Sequence, residues 1–276
     1  MLMEFSKYQG LGNDFILIDN RQQQELLVPI AGIPRLCDRH FGIGADGVIF
    51  LLQDSAGNYV MRIINSDGSE PEMCGNGIRC LAQFMQDLGI DPPDNRYTIK
   101  TLAGEMVVHL QDNLITVDMG EPRLLAQAIP TTLGKPDQQV VNLPLVVEGT
   151  TWHVTCVSMG NPHCVTFVPE VDNLPLAEVG PLFEHHPAFP QRVNAEFVEV
   201  LDRSQVKMRV WERGAGITLA CGTGACATVV AGVLQGLIDR SCTVYLPGGT
   251  LKIHWEESSN HVFMSGTAER VFTGKY

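Results

Sequence analysis

Two short segments hold the residues best suited to chemistry, Met73-Cys74-Gly75-Asn76-Gly77 and Ala220-Cys221-Gly222-Thr223-Gly224, each leading into an apolar run of helical character. A thiol at a helix start lies beside unpaired backbone N–H groups and the positive end of the helix dipole, which favours its thiolate. The same N–H groups can hold a carboxylate, and the glycines let a ligand approach the backbone. Each segment therefore reads as a proton-exchanging sulfur joined to an anion site. Two such units acting on opposite faces of one carbon would suffice to invert it, one thiolate removing the α-proton while the other thiol delivers a proton. The N–H groups would stabilise the charge that builds on the carboxylate. A single Cys-Gly-x-Gly turn is more often a tight loop around a buried thiol; its recurrence at matched positions argues for paired chemistry.

The match extends well beyond the two turns. At an offset of 147, the separation of Cys74 and Cys221, Met61 falls on Met208, Arg62 on Arg209, Gly75 on Gly222, Gly77 on Gly224 and Gly89 on Gly236. Gly12-Asn13 falls on Gly160-Asn161 at an offset one residue longer. The chain is thus expected to be a duplicated half: residues 1–120, then 121–266, with the pairing of a last strand over 267–276 left open between the halves.

The elements that must position the thiols follow from periodicity. Between Gly77 and Gly89, Ile78, Leu81, Ala82, Met85 and Leu88 recur at helical spacing, with Arg79, Gln83, Gln86 and Asp87 on the other face. The second helix, Ala225 to Leu234, is apolar or small nearly all round, as a helix enclosed on every side should be. Gly89 and Gly236 stand where each helix should stop. Alternating or apolar runs predict strands at Phe15–Asp19, Val48–Leu52, Val60–Ile64, Met106–Leu110 and Leu114–Asp118, and again at Thr151–Val157, Cys164–Val168, Ala195–Val200, Val206–Trp211, Cys242–Leu246, Thr250–Trp255 and His261–Ser265. A helix apolar on every face needs strands wrapped about it. The expected fold is therefore α+β: two pseudo-symmetric domains, each a strongly curved sheet around a central helix, with the active site in the cleft between them.

Composition narrows the partners. The chain has 276 residues, 31 acidic against 19 basic, and a formal charge of -12, which argues against a nucleic-acid partner. No apolar stretch approaches membrane-spanning length, and Met1-Leu2-Met3-Glu4-Phe5 lacks the features of an export signal, so a cytoplasmic location and no membrane partner are expected. The 8 cysteines are too dilute for a disulfide scaffold and form no Cys-x-x-Cys pair, so reduced thiols and no zinc are expected. Gly222 to Ala227 also satisfies a Gly-x-Gly-x-x-Ala dinucleotide pattern, a weak signal with no βαβ unit around it.

At Met73 to Cys80, Glu212-Arg213-Gly214-Ala215-Gly216 and Ala220 to Ala225 the chain resembles the diaminopimelate epimerase family, pyridoxal-independent enzymes of lysine synthesis. Gly10 to Phe15, Gly42 to Asp46 and Met159 to His163 extend the resemblance over essentially the full length. It implies interconversion of LL- and meso-diaminopimelate, with Cys74 and Cys221 as the two acid/base residues, no cofactor, no metal and a homodimer. It further implies that Gly75, Asn76, Gly222 and Thr223 hold the carboxylate of the reacting centre and that Asn13, Asn65, Asn161, Asn194 and Glu212 are polar contacts. Arg213 is the natural cation for the carboxylate at the far end of the substrate, and His163, with Glu212, is implied near the thiols as an aid to deprotonation. Gly47 departs from the glutamine that many relatives carry there. Cys80 and Cys226 read as packing residues.

Two rivals stand beside this reading. Proline racemases and hydroxyproline epimerases share the paired Cys-Gly turns, but their first turn typically has His where Asn76 stands, and proline lacks the distal zwitterion that Glu212-Arg213 provides for. A non-enzymatic protein in which Cys74 and Cys221 form a redox switch or bind a ligand is the other.

Overall fold

The computed structural model describes residues 2–111 and 114–276. In chain order the elements are β1 (Glu4–Gly10), β2 (Asn13–Asp19), α1 (Ile33–Cys37), β3 (Gly47–Gln53), β4 (Tyr59–Asn65), α2 (Gly75–Asp87), β5 (Arg96–Thr101), β6 (Gly104–Gln111), β7 (Leu114–Asp118), β8 (Leu143–Val147), β9 (Thr150–Ser158), β10 (Pro162–Phe167), α3 (Leu176–Glu184), β11 (Asn194–Asp202), β12 (Gln205–Glu212), β13 (Gly216–Ile217), α4 (Gly222–Leu234), β14 (Ser241–Leu246), β15 (Gly249–Trp255), β16 (Val262–Gly266) and β17 (Glu269–Lys275). They divide into two compact units, Met1–Asp118 with Ser265–Tyr276, and Met119–Met264.

In the first unit β1 pairs antiparallel with β2, β2 parallel with β3, β3 antiparallel with β4, β4 parallel with β5, and β5 antiparallel with β6. The second unit repeats this scheme with β9, β10, β11, β12, β14 and β15. Register repeats too: Phe15 opposes Gly47 as His163 opposes Asn194, and Val60 opposes Lys100 while Lys207 opposes Tyr245 in the corresponding parallel pairs. The outer partner of the first strand differs in origin. Beside β9 it is the adjacent β8, whereas beside β1 it is β17, which reaches the first unit from the end of the chain.

Each sheet curls around its central helix. α2 packs against β1, β2, β3, β4, β7 and β17, and α4 against β9, β10, β11, β12, β14 and β15. That enclosure is why α4 tolerates an all-apolar surface: Gly222 and every residue from Gly224 to Gly232 are buried. Both helices end alike, with Gly89 at φ 74° and Gly236 at φ 72°. The N–H of Ile90 bonds Met85 O at 3.1 Å and that of Leu237 bonds Gly232 O at 2.9 Å, satisfying carbonyls the helix would otherwise leave unpaired.

The outer sheet faces carry smaller cores. In the first unit Ile33, Leu36 and Cys37 from α1 cover Ile16, Ile18, Val48 and Phe50. In the second, Phe183 from α3 meets Phe197 and Trp152 edge to face with ring centroids 5.1 and 5.5 Å apart, a geometry the aromatic quadrupole favours.

The structure corrects one sequence expectation, the exposure of Arg79, and adds the helix starts and a first strand. Both helices begin at the glycine directly after the cysteine, earlier than the apolar periodicity alone indicates, because the cysteine itself caps them. Arg79, assigned to the polar face of α2, is fully buried. Its guanidinium folds back to donate to Gly75 O at 3.2 Å, Asn76 Oδ1 at 2.9 Å and Thr267 O at 3.4 Å, carbonyl partners that periodicity cannot reveal. Strand β1 escaped the alternation because Lys7 within it is buried beside Asp14.

Candidate active site

Each unit carries a half-site at the start of its central helix. Cys74 and Cys221 are the capping residues, in extended conformation at φ -138° and -125°. Their sulfurs accept from the N–H of Gly77 at 3.4 Å and of Gly224 at 3.3 Å. The first turn of a helix leaves its leading N–H groups without intrahelical partners, so Gly75 and Asn76, like Gly222 and Thr223, present donors beside the sulfur.

Around Cys74 the neighbours are amides. The thiol lies 3.7 Å from Asn13 Oδ1, which also accepts from Asn76 Nδ2 at 3.2 Å. Asn13 Nδ2 donates to Asp46 Oδ2 at 2.7 Å. Arg39 bonds both Asp46 and Asp14, and Lys7 pairs with Asp14 at 2.7 Å, so Asn13 is anchored through a charge network. Burial opposes ionisation of Asp14, but hydrogen bonds from Arg39 and Lys7 outweigh it and hold its carboxyl at about 2. Asn65 ends β4 with its amide on Ser69 Oγ at 2.9 Å. At Gly47 a side-chain carbon would lie 2.7 Å from Ile64 O, so a larger residue here needs the β3–β4 pairing to shift.

Around Cys221 the neighbours are ionisable. Thr223 Oγ1 lies 3.6 Å from Cys221 Sγ and accepts from Asn161 Nδ2 at 3.2 Å. Asn161 Oδ1 faces His163 Nε2 at 2.9 Å, and His163 Nδ1 lies 2.7 Å from Glu196 Oε1. His163 and Glu196 are both fully buried. Glu212 accepts from Thr218 at 2.5 Å, and its carboxyl is raised, chiefly by burial. At Cys221 burial and the charges of Glu212 and Glu196 push the thiol above the usual range, against the bonds from Thr223 and Gly224. Burial likewise pushes Cys80 up to about 12, in keeping with a packing residue.

The Arg213 turn is built separately. Its backbone N–H donates to Asn194 Oδ1 at 2.9 Å, and Asn194 Nδ2 donates to Pro162 O at 2.9 Å, so that asparagine links β10 to the turn. Glu184 of α3 receives the N–H of Gly214 at 2.9 Å and the indole of Trp211 at 2.7 Å. The Arg213 guanidinium bonds Gln191 O at 3.2 Å at the surface. Sequence reasoning missed Glu184 and Glu196. The second was detectable, since at the repeat offset it falls on Ile49, an acid opposite an aliphatic residue.

Solved structures of the same fold include a PhzF-family phenazine biosynthesis protein from Bacillus anthracis, with TM-score 0.70, 17% identity and coverage of 100% of this chain and 99% of that one. A hydroxyproline epimerase from Agrobacterium vitis has TM-score 0.70 and 13% identity, covering 99% of this chain and 92% of that one. The chain is therefore a member of the fold class of two-unit proteins to which these belong. The family model described as diaminopimelate epimerase matches residues 5–125 and 155–271. Proteins named diaminopimelate epimerase from Synechocystis sp. and diaminopimelate epimerase 1 from Nostoc sp. are each 63% identical over 278 residues, covering 100% of this chain and 99% and 100% of theirs. This chain belongs to the diaminopimelate epimerase family.

Proposed function

We propose that the protein is an isomerase interconverting LL- and meso-diaminopimelate, with Cys74 and Cys221 exchanging protons with opposite faces of one α-carbon. The observation that carries this is the matched pair of capping cysteines, each with its sulfur on the N–H of the third residue onward, within a chain of this family. One thiolate takes the α-proton as the C–H bond breaks, and the other thiol supplies the proton that forms the new C–H bond. The sulfurs exchange protonation states in each turnover, and the incoming isomer decides which acts as base.

The leading N–H groups of Gly75, Asn76, Gly222 and Thr223 hold the carboxylate of the reacting centre and absorb the charge that develops on it. Asn76 acts mainly through its backbone, because its side chain already bonds Asn13 and Arg79. Arg213 holds the distal carboxylate and Asn194 fixes the turn that carries it; Asn13, Asn65 and Asn161 complete the polar contacts. Glu212, in contact range of Cys221, accepts its proton when that thiol must become the base. The reading includes catalysis without pyridoxal or metal, a place in lysine biosynthesis, a cytoplasmic location and a homodimer, all supported by the family resemblance.

The test is incubation with LL-diaminopimelate in deuterated water. Deuterium enters the α-position as the centre inverts, and Cys74→Ser and Cys221→Ser each lower kcat/KM by about 10³-fold or more. Inversion without solvent deuterium, retained turnover in either serine variant, or racemisation of proline in preference to diaminopimelate overturns it.

A further inference from the structure

Glu196 lies on β11 between Val165 and Val210 on the neighbouring strands, with no exposed surface. Its Oε1 meets His163 Nδ1, and its Oε2 has no hydrogen-bond partner among the described residues. A buried carboxylate is costly to desolvate, and an aliphatic residue of similar size would be tolerated there, as Ile49 is at the matching place in the first unit. Glu196 is therefore retained for something other than packing.

Its partner shows what that is. His163 faces an oxygen at each end, a Glu196 carboxyl oxygen at Nδ1 and Asn161 Oδ1 at Nε2, and a ring that donates at Nε2 satisfies the amide oxygen. The rest of the chain is then directional. Asn161 turns its amide N–H to Thr223 Oγ1, and the Thr223 hydroxyl, already accepting, has its hydrogen free for Cys221 Sγ. With Nε2 as the acceptor, as in the Nδ1–H tautomer, the order reverses: Asn161 turns over to donate to Nε2, Thr223 donates to Asn161, and the sulfur keeps its proton.

We propose that Glu196 is a positioning residue for proton exchange at Cys221, its carboxyl fixing the His163 ring at Nδ1 so that Nε2–H meets Asn161 Oδ1 and aligns Asn161 and Thr223 to donate toward the sulfur. Glu196 and His163 share a proton across their bond and so present no bare charge, while the donor they align acts at the sulfur itself. The other groups facing the chain are Glu212 from β12, beside Cys221, and the buried Cys164 thiol of β10, beside Glu196 and hydrogen-bonded to Cys156 of β9. The Cys74 thiol, by contrast, faces the amide oxygen of Asn13.

The inference rests on Cys221 being one of the two exchanging thiols, and its test separates the two claims. Iodoacetamide labelling across pH is read on the tryptic peptide that follows Arg62 for Cys74 and on the one that follows Arg213 for Cys221, with fragment ions separating Cys221 from Cys226 in the latter. In Glu196→Gln, Cys221 reacts about tenfold more slowly at neutral pH while Cys74 keeps its rate. The acid limb of kcat/KM moves to higher pH, and kcat/KM falls by about 10- to 100-fold, equally in both directions because the equilibrium constant is fixed. Glu196→Asp, which keeps the charge, recovers part of the limb and supplies the same readout if the Gln protein does not fold. Cys221 labelling at the parent rate or faster, or an unmoved acid limb, overturns the proposal. Turnover retained in Cys221→Ser overturns the acid–base assignment instead, whereas an inactive Cys221→Ser beside a parent-like Glu196→Gln sinks the role of Glu196 alone.

Discussion

Under the first turn of α2 the sheet presents Ile49; under the first turn of α4, at the same place in the repeat, it presents Glu196. A side-chain carbon added at Gly77 would meet Ile49 Cδ1 at 3.0 Å and Met61 Cε at 3.2 Å, and one added at Gly224 would meet Glu196 Oε1 at 2.8 Å and Cys221 Sγ at 3.1 Å. The two half-sites share a backbone and differ in what lies beneath it. Around Cys74 the groups are amides anchored by an ion network, so the sulfur sits among fixed dipoles. Around Cys221 they are an imidazole, two carboxylates and a hydroxyl, so the sulfur sits among groups that can gain or lose protons. The repeat gives two equivalent caps, and the different residue beneath each makes their surroundings unequal.

The sharpest way to break this comparison is to exchange the floor residues. Ile49→Glu puts a carboxylate into the first unit where no imidazole waits for it, and is expected to destabilise the protein by about 3–5 kcal/mol, read as the shift in the urea midpoint. A loss below about 1 kcal/mol would mean that the first half-site already accommodates charge, and the contrast drawn here would fail.

The paired glycines sharpen it further. In Gly77→Ala the new methyl meets the ends of flexible aliphatic chains, which can yield, and the intrinsic preference of helices for alanine offsets part of the loss, so stability changes by about 1 kcal/mol or less. In Gly224→Ala the methyl meets the carboxylate that holds His163 and the sulfur itself. The expected loss is about 2–3 kcal/mol, with a drop in kcat/KM that Gly77→Ala does not share. Thermal melting and initial rates on the two proteins decide it; equal effects on rate would show that the surroundings of Cys221 are no more exacting than those of Cys74.

The smallest effect separates the units by acid. The Asp14 carboxyl in the first unit is held at about 2. Its contribution is present above the unfolded value near 4 and is lost as pH falls toward 2, roughly 2 kcal/mol before allowance for solvent screening. Glu212 in the second unit is raised, so what it contributes is fully present below its unfolded value and is lost as pH rises through its folded one. Trp152, Trp211 and Trp255 all lie in the second unit. Between about pH 4 and pH 2 amide exchange is therefore expected to rise in first-unit peptides before tryptophan emission changes. Emission changing first would reverse the assignment.

Much of this architecture was legible because it repeats. The matched turns located both caps, Gly89 and Gly236 marked both helix ends, and the apolar surface of Ala225 to Leu234 required a wrapped sheet. Less legible were β1, which hides a buried lysine in its alternation, and Arg79, whose carbonyl partners are remote or set by a capped first turn. Asn161 and His163 were identified from the resemblance; that they form a chain through Thr223 to Cys221 was not visible in spacing. Glu196 was overlooked because an acid within a strand ordinarily faces solvent.

Sequence by itself determined the duplicated pattern, the two capping thiols and the family, because residue type and local periodicity decide which backbone groups lie beside a cysteine at a helix start. Only tertiary structure decided how the two thiols differ. The properties of a sulfur depend on its burial and on charges a few ångströms away, and β10, β11 and β12 bring His163, Glu196 and Glu212 together around Cys221 from positions remote in the chain. In the first unit Ile49 fills the place that Glu196 holds in the second.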